Sequence, residues 1–495
     1  MAQQEKPNII LVVLDSARRD MFGCYGNTEG LTPHIDAWAK EGVIGKYNYS
    51  GGNGSAMGHT CIFSGQHASR HQMVHNLTEM NSNITMIPTF LKLLGYRSFG
   101  HLQMSFIPPA GYNHIFAFDE LVYPGNTGAL NAWSFKKNSL ELVKSHPWLW
   151  DSAKKVYGKI FGDEGRVKAA AKTFDGFPSI QYLMKKLKEN RGRGPIFTYT
   201  TLLHPHTPYY PPKWCIRQVF GKNKINKMAF RVLLDFHGWE NGNYGEIPEA
   251  IDSLKKLYQA ELVYADFLFG KLIAFLTKEN LYDNTIIVLT SDHGELLGEH
   301  GSLNHGGTVW EEVYQVPLII TYPKKINGGR VVDSITSNLD IFPSLLDLID
   351  APFKNQEKMP LDGLSLFSSS LNGDRYLVID SPPIVLPGRL KAYPKIMETA
   401  RTIERSIISK QYKYIWSSDG KEYLFKFGVE ESDSNNIAGQ HPSVVKDYKE
   451  KMLQFYKSIH PDYELDHYPI RLSKSMGKKF GNPLITAELK KLGYL

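Results

Sequence analysis

Short apolar runs alternate with longer amphipathic patterns along most of this chain, and that alternation constrains the fold most strongly. The first apolar run is NIILVVLD, and similar runs recur as PIFTYTTLL, NTIIVLTSD and VPLIITYP. Helical patterns such as TPHIDAWAKEG and SIQYLMKKLKEN lie between them. Strands that are apolar on both faces are typical of parallel sheets covered by helices. The sequence therefore predicts an α/β domain with a mostly parallel, twisted central sheet.

The pattern changes near the C-terminal end. RSIISKQYKYIWSSDGKEYLFKF alternates around Asp419 and Gly420, which indicates a hairpin, and HPSVVKDYKEKMLQFYKSI is a closing amphipathic helix. We expect a catalytic domain over 1–375 and a smaller α+β subdomain over 376–495. The basic, aromatic segment 125–172 fits neither pattern. It is interpreted as an inserted helical pair that covers the core, with a substrate lid or an oligomer contact as alternatives.

Composition narrows the classes of partner. The net charge is +7, but lysines and arginines are scattered, and zinc-finger spacing and basic-region helices do not occur in the sequence. We therefore expect no nucleic-acid partner. Apolar runs are shorter than the roughly 20 residues that span a bilayer, so no membrane partner is expected either. The start MAQQEKP lacks a basic leader, and the three cysteines, Cys24, Cys61 and Cys215, lack framework spacing, which predicts a cytoplasmic location. Homo-oligomerisation stays open.

Polar residues follow three of the predicted strands. Asp15 ends VVLD, Asp292 and His293 end IIVLTSDH, and His204 and His206 end FTYTTLLHPH. Ligands bind beyond the carboxyl ends of strands in open parallel sheets, so these groups predict a site for one divalent cation. The imidazole favours manganese, zinc or iron over calcium. Taken singly, Asp15 could instead cap a helix, and Asp292 with His293 could form a turn.

Ser55 lies in the glycine-rich stretch NYSGGNGSAMGHTCIFSG, just before a short helical pattern. At a helix N-terminus its hydroxyl would meet backbone N–H groups that favour an anion. Beside a metal ion that hydroxyl would lose its proton more readily and could attack a tetrahedral ester. Alternatively, the segment is a loop with a capping serine. The segment alone leaves both hypotheses open.

Several motifs, in order along the chain, resemble the sulfatases of the alkaline phosphatase superfamily, which include phosphonate monoester hydrolases. They are PNIILVVLDSARRDMFGCYG, SAMGHTCIFSG, HPHTPYYPP, TSDHGELLGEHG, HGGTVWEEVYQVPLII and SNLDIFPSLLDLI. The resemblance implies an alkaline-phosphatase-like α/β sandwich with a large mixed, mostly parallel sheet and a smaller C-terminal subdomain. It also implies a metal-dependent hydrolase of a sulfate, phosphate or phosphonate ester, phosphodiesters included.

The resemblance assigns roles to residues of this chain. It makes Asp15, Asp292 and His293 ligands of one divalent metal ion, with manganese, zinc or calcium as the candidates. Ser55 becomes the nucleophile and a further metal ligand.

Three histidines complete the set that the resemblance implies. His206 and His305 would contact the non-bridging oxygens or the leaving group of the ester. His59 would support Ser55.

The chain also departs from the family pattern. Ser16 stands where many sulfatases have a second metal-binding aspartate, and Gly270 stands where two-metal relatives have a histidine, so one metal ion is expected. Sulfatases convert a cysteine or serine to formylglycine, but Met57 and His59 replace the residues that flank it, which argues against conversion of Ser55. An unmodified serine suits phosphoryl or phosphonyl transfer better, because its phosphoserine intermediate is tractable.

The expected substrate is a small anionic ester. Two other hypotheses stay open at this point. The same serine could pass the sulfuryl or phosphoryl group to an acceptor alcohol, which would make the protein a group transferase. The altered SAMGH motif is also consistent with an inactive homologue that retains an anion-binding pocket.

Overall fold

The computed structural model describes most of the chain. The described residues are 6–74, 80–81, 84–103, 118–123, 162–168, 171, 175–235, 247–351, 360–372, 374–382 and 402–466. Within the predicted insertion 125–172, only 162–168, which are helical, and 171 are described. The hypotheses of a lid and of an oligomer contact therefore fall largely outside the described residues.

Fourteen strands occur among the described residues. They are β1 (Asn8–Leu14), β2 (Val43–Tyr49), β3 (Arg97–Leu102), β4 (Glu120–Val122), β5 (Ile196–Leu202), β6 (Thr285–Ser291), β7 (Leu296–Leu297), β8 (Leu303–Asn304), β9 (Leu318–Thr321), β10 (Arg330–Ser337), β11 (Leu377–Ser381), β12 (Glu404–Ile408), β13 (Tyr412–Ser417) and β14 (Glu422–Lys426).

The α-helices that flank these strands vary from one turn to 31 residues. They are α1 (Pro33–Ala39), α2 (Ser55–Ser64), α3 (Ala68–His71), α4 (Ile87–Leu93), α5 (Phe177–Glu189), α6 (Lys213–Phe220), α7 (Lys227–Leu234), α8 (Pro248–Lys278), α9 (Glu311–Tyr314), α10 (Ile341–Leu348) and α11 (Pro442–Ile459).

Eight of the described strands form the central sheet, in the order β10-β2-β9-β6-β1-β5-β3-β4. β9 runs antiparallel to its neighbours β2 and β6, whereas the other adjacent pairs are parallel. The prediction of a mixed, mostly parallel sheet is thus confirmed. β1, β5 and β6 lie centrally and are buried on both faces, which explains why their sequences are apolar throughout.

Helices cover both faces of this sheet. Ile9, Leu11 and Val13 of β1 point to one face, where they pack in a core cluster with α2, α4 and α10. Ile10 and Val12 point to the other face and pack in a cluster with α1, α5 and α8. The alternation follows from the two-residue period of a strand. The result is a three-layer sandwich in which helix α2, which begins at Ser55, lies directly on the sheet.

A separate antiparallel sheet follows, with strand order β11-β12-β13-β14. The predicted hairpin at Asp419 and Gly420 is confirmed, and Gly420 has a φ of 89°, in the left-handed region that glycine adopts readily. The predicted closing helix is α11, which packs Tyr448, Met452 and Tyr456 against this sheet. The domain boundary at 375/376 stays a prediction.

No helix among the described residues combines the length and apolarity needed to cross a membrane.

Candidate active site

Two neighbouring parallel strands deliver the acidic groups of the site. Leu14 of β1 and Ser291 of β6 are partners in register, so the residues that follow them, Asp15 and Asp292, leave the sheet side by side. Both aspartates are fully buried. Ser16 has a φ of 68°, which bends the chain sharply after β1, and its N–H donates to Oδ1 of Asp292 at 3.3 Å.

His293 joins these two carboxylates. Its Nε2 lies 3.6 Å from Oδ1 of Asp15 and 3.5 Å from Oδ2 of Asp292. Its Nδ1 lies 2.8 Å from the carbonyl oxygen of Gly294, and because that oxygen can only accept, Nδ1 carries the proton. In the neutral ring Nε2 therefore presents a lone pair to the same space as the carboxylates. One donor atom from each of the three residues lies within 4.8 Å of the other two.

The electrostatics of this cluster suit a cation. Oδ2 of Asp15 and Oδ2 of Asp292 are buried and have no hydrogen-bond partner among the described residues. Burial and the neighbouring Asp292 raise the pKa of Asp15 well above its ordinary value. Burial opposes ionisation of Asp292 too, but His293 and His59 outweigh it and lower the pKa of that carboxyl. Two buried carboxylates and an imidazole lone pair fit the ligand chemistry of a divalent ion.

Ser55 is the first residue of α2, directly after Gly54. Its side-chain oxygen lies 3.3 Å from Nε2 of His293, so the structure brings it to the acidic cluster. The predicted position at a helix N-terminus is confirmed. The remaining residues of α2 are buried, and Gly58 explains how the helix comes so close. A Cβ at Gly58 would lie 2.3 Å from the carbonyl oxygen of Asp292.

His59 lies one turn after Ser55 on α2 and is fully buried. Its Nδ1 donates to the carbonyl oxygen of Ser55 at 2.8 Å and lies 3.4 Å from Oδ2 of Asp292, while Nε2 is 3.2 Å from Oγ1 of Thr201. Burial lowers the pKa of His59, which favours the neutral ring. His59 thus ties the start of α2 to Asp292 and to β5.

His206 and His305 converge on the outer side of the cluster. His206 follows β5 and His305 follows β8, and their ring centroids are 5.5 Å apart. The ring of His305 lies 3.9 Å from that of His293, centroid to centroid. Both are partly exposed, unlike the buried cluster. His204, the other histidine that follows β5, instead pairs its Nδ1 with Oε2 of Glu261 at 2.5 Å, so only His206 of this pair faces His305.

The sequence reasoning missed Glu295. This carboxyl is fully buried, its Oε1 lies 3.3 Å from Nδ1 of His305, and its Oε2 has no partner among the described residues. Burial raises its pKa to about 7. Its position in SDHGE, three residues after Asp292, is the signal that could have identified it. Gly58 was also missed, although a glycine inside a helical pattern indicates close packing.

Comparisons with known proteins find relatives over most of the chain. A family model described as Sulfatase matches residues 7–351. A choline-sulfatase from Rhizobium meliloti is 24% identical over 500 residues, covering 95% of this chain and 90% of the relative. An N-acetylglucosamine-6-O-sulfatase from Bacteroides thetaiotaomicron is 26% identical over 381 residues, covering 70% of this chain and 68% of the relative. The phosphonate monoester hydrolase of Agrobacterium radiobacter has a similar fold, with a TM-score of 0.68 and 17% identity over 92% of this chain and 96% of that one.

Proposed function

The chain belongs to the sulfatase family of ester hydrolases, and from this premise we propose that it hydrolyses a small sulfate, phosphate or phosphonate ester with Ser55 as nucleophile. One observation carries the proposal. The hydroxyl of Ser55 lies 3.3 Å from the ring nitrogen that completes the buried Asp15, Asp292 and His293 cluster. A nucleophile and a metal site are thereby within reach of one tetrahedral group.

Asp15, Asp292 and His293 would hold one divalent metal ion, with Ser55 as a further ligand. Such an ion lowers the pKa of a bound hydroxyl and neutralises charge on the non-bridging oxygens of the ester. The unpartnered carboxylate oxygens support this assignment. Manganese, zinc and calcium are the candidates, and the donor set of two carboxylates and an imidazole favours manganese or zinc.

The remaining residues position the nucleophile and receive the leaving group. In the reaction we propose, the hydroxyl of Ser55 loses its proton to solvent and its oxygen attacks the sulfur or phosphorus atom. The bond to the alcohol oxygen breaks, and that oxygen takes up a proton as the alcohol leaves. His206 and His305 stand on the outer side of the cluster. Nδ1 of His206 donates to the carbonyl oxygen of Thr207, so its Nε2, when protonated, is the atom that would stabilise the charge on the departing oxygen. His59 holds the start of α2 through the carbonyl oxygen of Ser55. Water then cleaves the ester formed on Ser55.

The state of Ser55 decides between sulfur and phosphorus esters. A formylglycine hydrate can release sulfate by collapse of its hemiacetal, whereas a sulfated serine needs a new attack by water. Met57 and His59 follow Ser55 in place of the residues that flank the modified position in sulfatases. We therefore propose that Ser55 keeps its hydroxyl and that phosphorus esters, phosphonates among them, are the better substrates.

The first experiment combines peptide mass spectrometry of the Ser55 segment with turnover of an aryl sulfate, an aryl phosphonate and an aryl phosphodiester in the presence of manganese. Ser55→Ala should abolish turnover. Ser64→Ala removes a buried hydroxyl from the other end of α2, where it bonds to the carbonyl oxygen of Thr60, and serves as the matched control.

The outcomes separate the hypotheses. An unmodified Ser55 with turnover of the phosphorus esters supports the proposal, whereas a peptide lighter by two hydrogens with aryl sulfate turnover assigns a formylglycine sulfatase. Products formed on added alcohols would indicate a transferase. If the wild type turned over none of these esters, with or without manganese, the inactive homologue would be favoured. The cytoplasmic location, the lack of a nucleic-acid partner and homo-oligomerisation stay predictions from the sequence.

A further inference from the structure

One tyrosine of α8 holds the turn that follows β1. Tyr258 is fully buried, and its hydroxyl donates to the carbonyl oxygen of Ser16 at 2.7 Å. The same hydroxyl accepts the backbone N–H of Arg18 at 2.9 Å. Burial raises the pKa of Tyr258 well above its ordinary value, so the hydroxyl keeps the proton that it donates. A single side chain thus bridges the two ends of the turn 16–18.

This turn has a strained backbone that contacts from outside hold in place. Ser16 has a φ of 68°, a left-handed conformation that residues other than glycine adopt at a cost. Such a conformation persists only where its surroundings fix it. Besides the bond from Arg18 to Tyr258, the N–H of Ala17 donates to Oγ of Ser291 at 2.8 Å. The N–H of Ser16 donates to Oδ1 of Asp292 at 3.3 Å, so each N–H of the turn has a partner outside it.

The turn controls the geometry of the acidic cluster. Asp15 directly precedes it, and one of its N–H groups bonds to Asp292, so both carboxylates depend on its conformation. Oδ2 of each aspartate is buried and has no hydrogen-bond partner among the described residues. Because two like charges repel at short range, a metal-free cluster would tend to open. A turn that neutral hydrogen bonds hold in place resists this opening and keeps the ligand oxygens together before an ion binds.

The ring of Tyr258 is itself held by packing. It belongs to an apolar cluster that includes Leu254 and Leu257 of the same helix. It also meets the ring of Tyr209 edge-on, with the ring centroids 5.6 Å apart. A hydroxyl on a ring packed in this way has a defined position, which is what the orientation of metal ligands by an outer residue requires.

We propose that Tyr258 is a positioning residue for the metal site. Through the turn 16–18 it holds the carboxylates of Asp15 and Asp292 in the arrangement that binds a divalent ion. The inference rests on the proposed function, because it concerns the metal site of that function, and it adds a residue outside the ligand set. A hydroxyl that served packing alone would contribute to stability and leave metal affinity unchanged, whereas a positioning hydroxyl contributes to metal affinity.

The test compares Tyr258→Phe with a matched variant of the same helix. Tyr264→Phe makes the same change further along α8, where the hydroxyl bonds to Asp175 instead. Manganese is titrated calorimetrically into the metal-free proteins, and the bound ion is followed by electron paramagnetic resonance. We expect Tyr258→Phe to weaken manganese binding by about 10–100-fold, the range found when residues that orient metal ligands are removed, and Tyr264→Phe to leave it unchanged. Ser291→Ala, which removes the acceptor of the Ala17 N–H, should weaken binding as well.

The outcomes separate this inference from the proposed function. Equal manganese affinity of the wild type and Tyr258→Phe would overturn the inference, even if the variant melted at a lower temperature. An equal loss of affinity in Tyr258→Phe and Tyr264→Phe would also overturn it, because it would reflect a general loosening of α8. If Tyr258→Phe did not fold, an unchanged affinity of Ser291→Ala would overturn the inference, since the turn would then not control the site. Absence of manganese, zinc and calcium binding in the wild type would instead overturn the metal site of the proposed function.

Discussion

The buried carboxylates of the site predict that the metal-free protein is destabilised by its own binding residues. Asp15 and Asp292 place ligand oxygens within 4.8 Å of each other. At an effective dielectric constant of about 20, two like charges at that distance repel by roughly 3 kcal/mol. Asp15→Asn removes this repulsion but weakens the hydrogen bond from the hydroxyl of Ser16, which costs about 1 kcal/mol. We therefore expect the free energy of unfolding of metal-free protein to rise by about 2 kcal/mol at a pH that ionises Asp15, and by less at lower pH, because the raised pKa of Asp15 lets this carboxyl take up a proton instead.

The assay is urea denaturation in a chelator and again with saturating manganese. A ligand at 100 times its dissociation constant stabilises the folded state by about 2.7 kcal/mol, and we expect the wild type to show a gain of this order that Asp15→Asn loses. The exposed Asp283 provides the control Asp283→Asn, which should change neither measurement. If Asp15→Asn lowered the free energy of unfolding of the metal-free protein by more than about 1 kcal/mol, the reasoning would be refuted, because the carboxylate of Asp15 would then stabilise the fold without a metal ion.

Three further predictions concern the residues around the site and the second sheet. His59→Phe removes the hydrogen bonds to Ser55 and Thr201, so steady-state kinetics should show kcat reduced by roughly 100-fold with little change in KM; an unchanged kcat would contradict a positioning role. Burial raises the pKa of Glu404 to about 7, so the folded state favours the protonated carboxyl. The free energy of unfolding therefore falls as pH rises from about 4.5 to 7. Glu404→Gln should recover up to about 3 kcal/mol at pH 8, and thermal denaturation that keeps its wild-type pH slope would refute this. Arg405→Met should cost about 3–5 kcal/mol in urea denaturation, because it leaves a fully buried carboxylate 3.4 Å away without its cation, whereas a small loss would show that other contacts hold the sheet.

The acidic cluster could be predicted from the sequence because the register between strands in a parallel sheet is regular. Asp15 and Asp292 each follow an apolar run directly, so their adjacency required only that β1 and β6 be neighbours. Ser55 was predictable as a helix-initiating residue, since the glycine-rich stretch precedes a helical pattern. In each case the side chain lies within one or two residues of the end of a strand or the start of a helix. Its position is therefore fixed once that element is placed.

The outer side of the site was harder to predict for the same reason. His204 and His206 both follow β5, and only the course of the chain beyond the strand decides that His204 pairs with Glu261 while His206 faces His305. Glu295 lies in a loop whose path determines whether its carboxyl points to solvent or to His305. Such paths depend on tertiary packing that periodicity does not report. The resemblance to a family supplied His206 and His305, and it did not supply Glu295.

The position of the acidic cluster and the stability of the fold therefore depend on the same strands. The cluster of Asp15, Asp292 and His293 is held by central strands buried on both faces, where a displacement would disturb two core clusters at once. Because interiors pack closely, substitutions on the strands should alter metal binding and stability together.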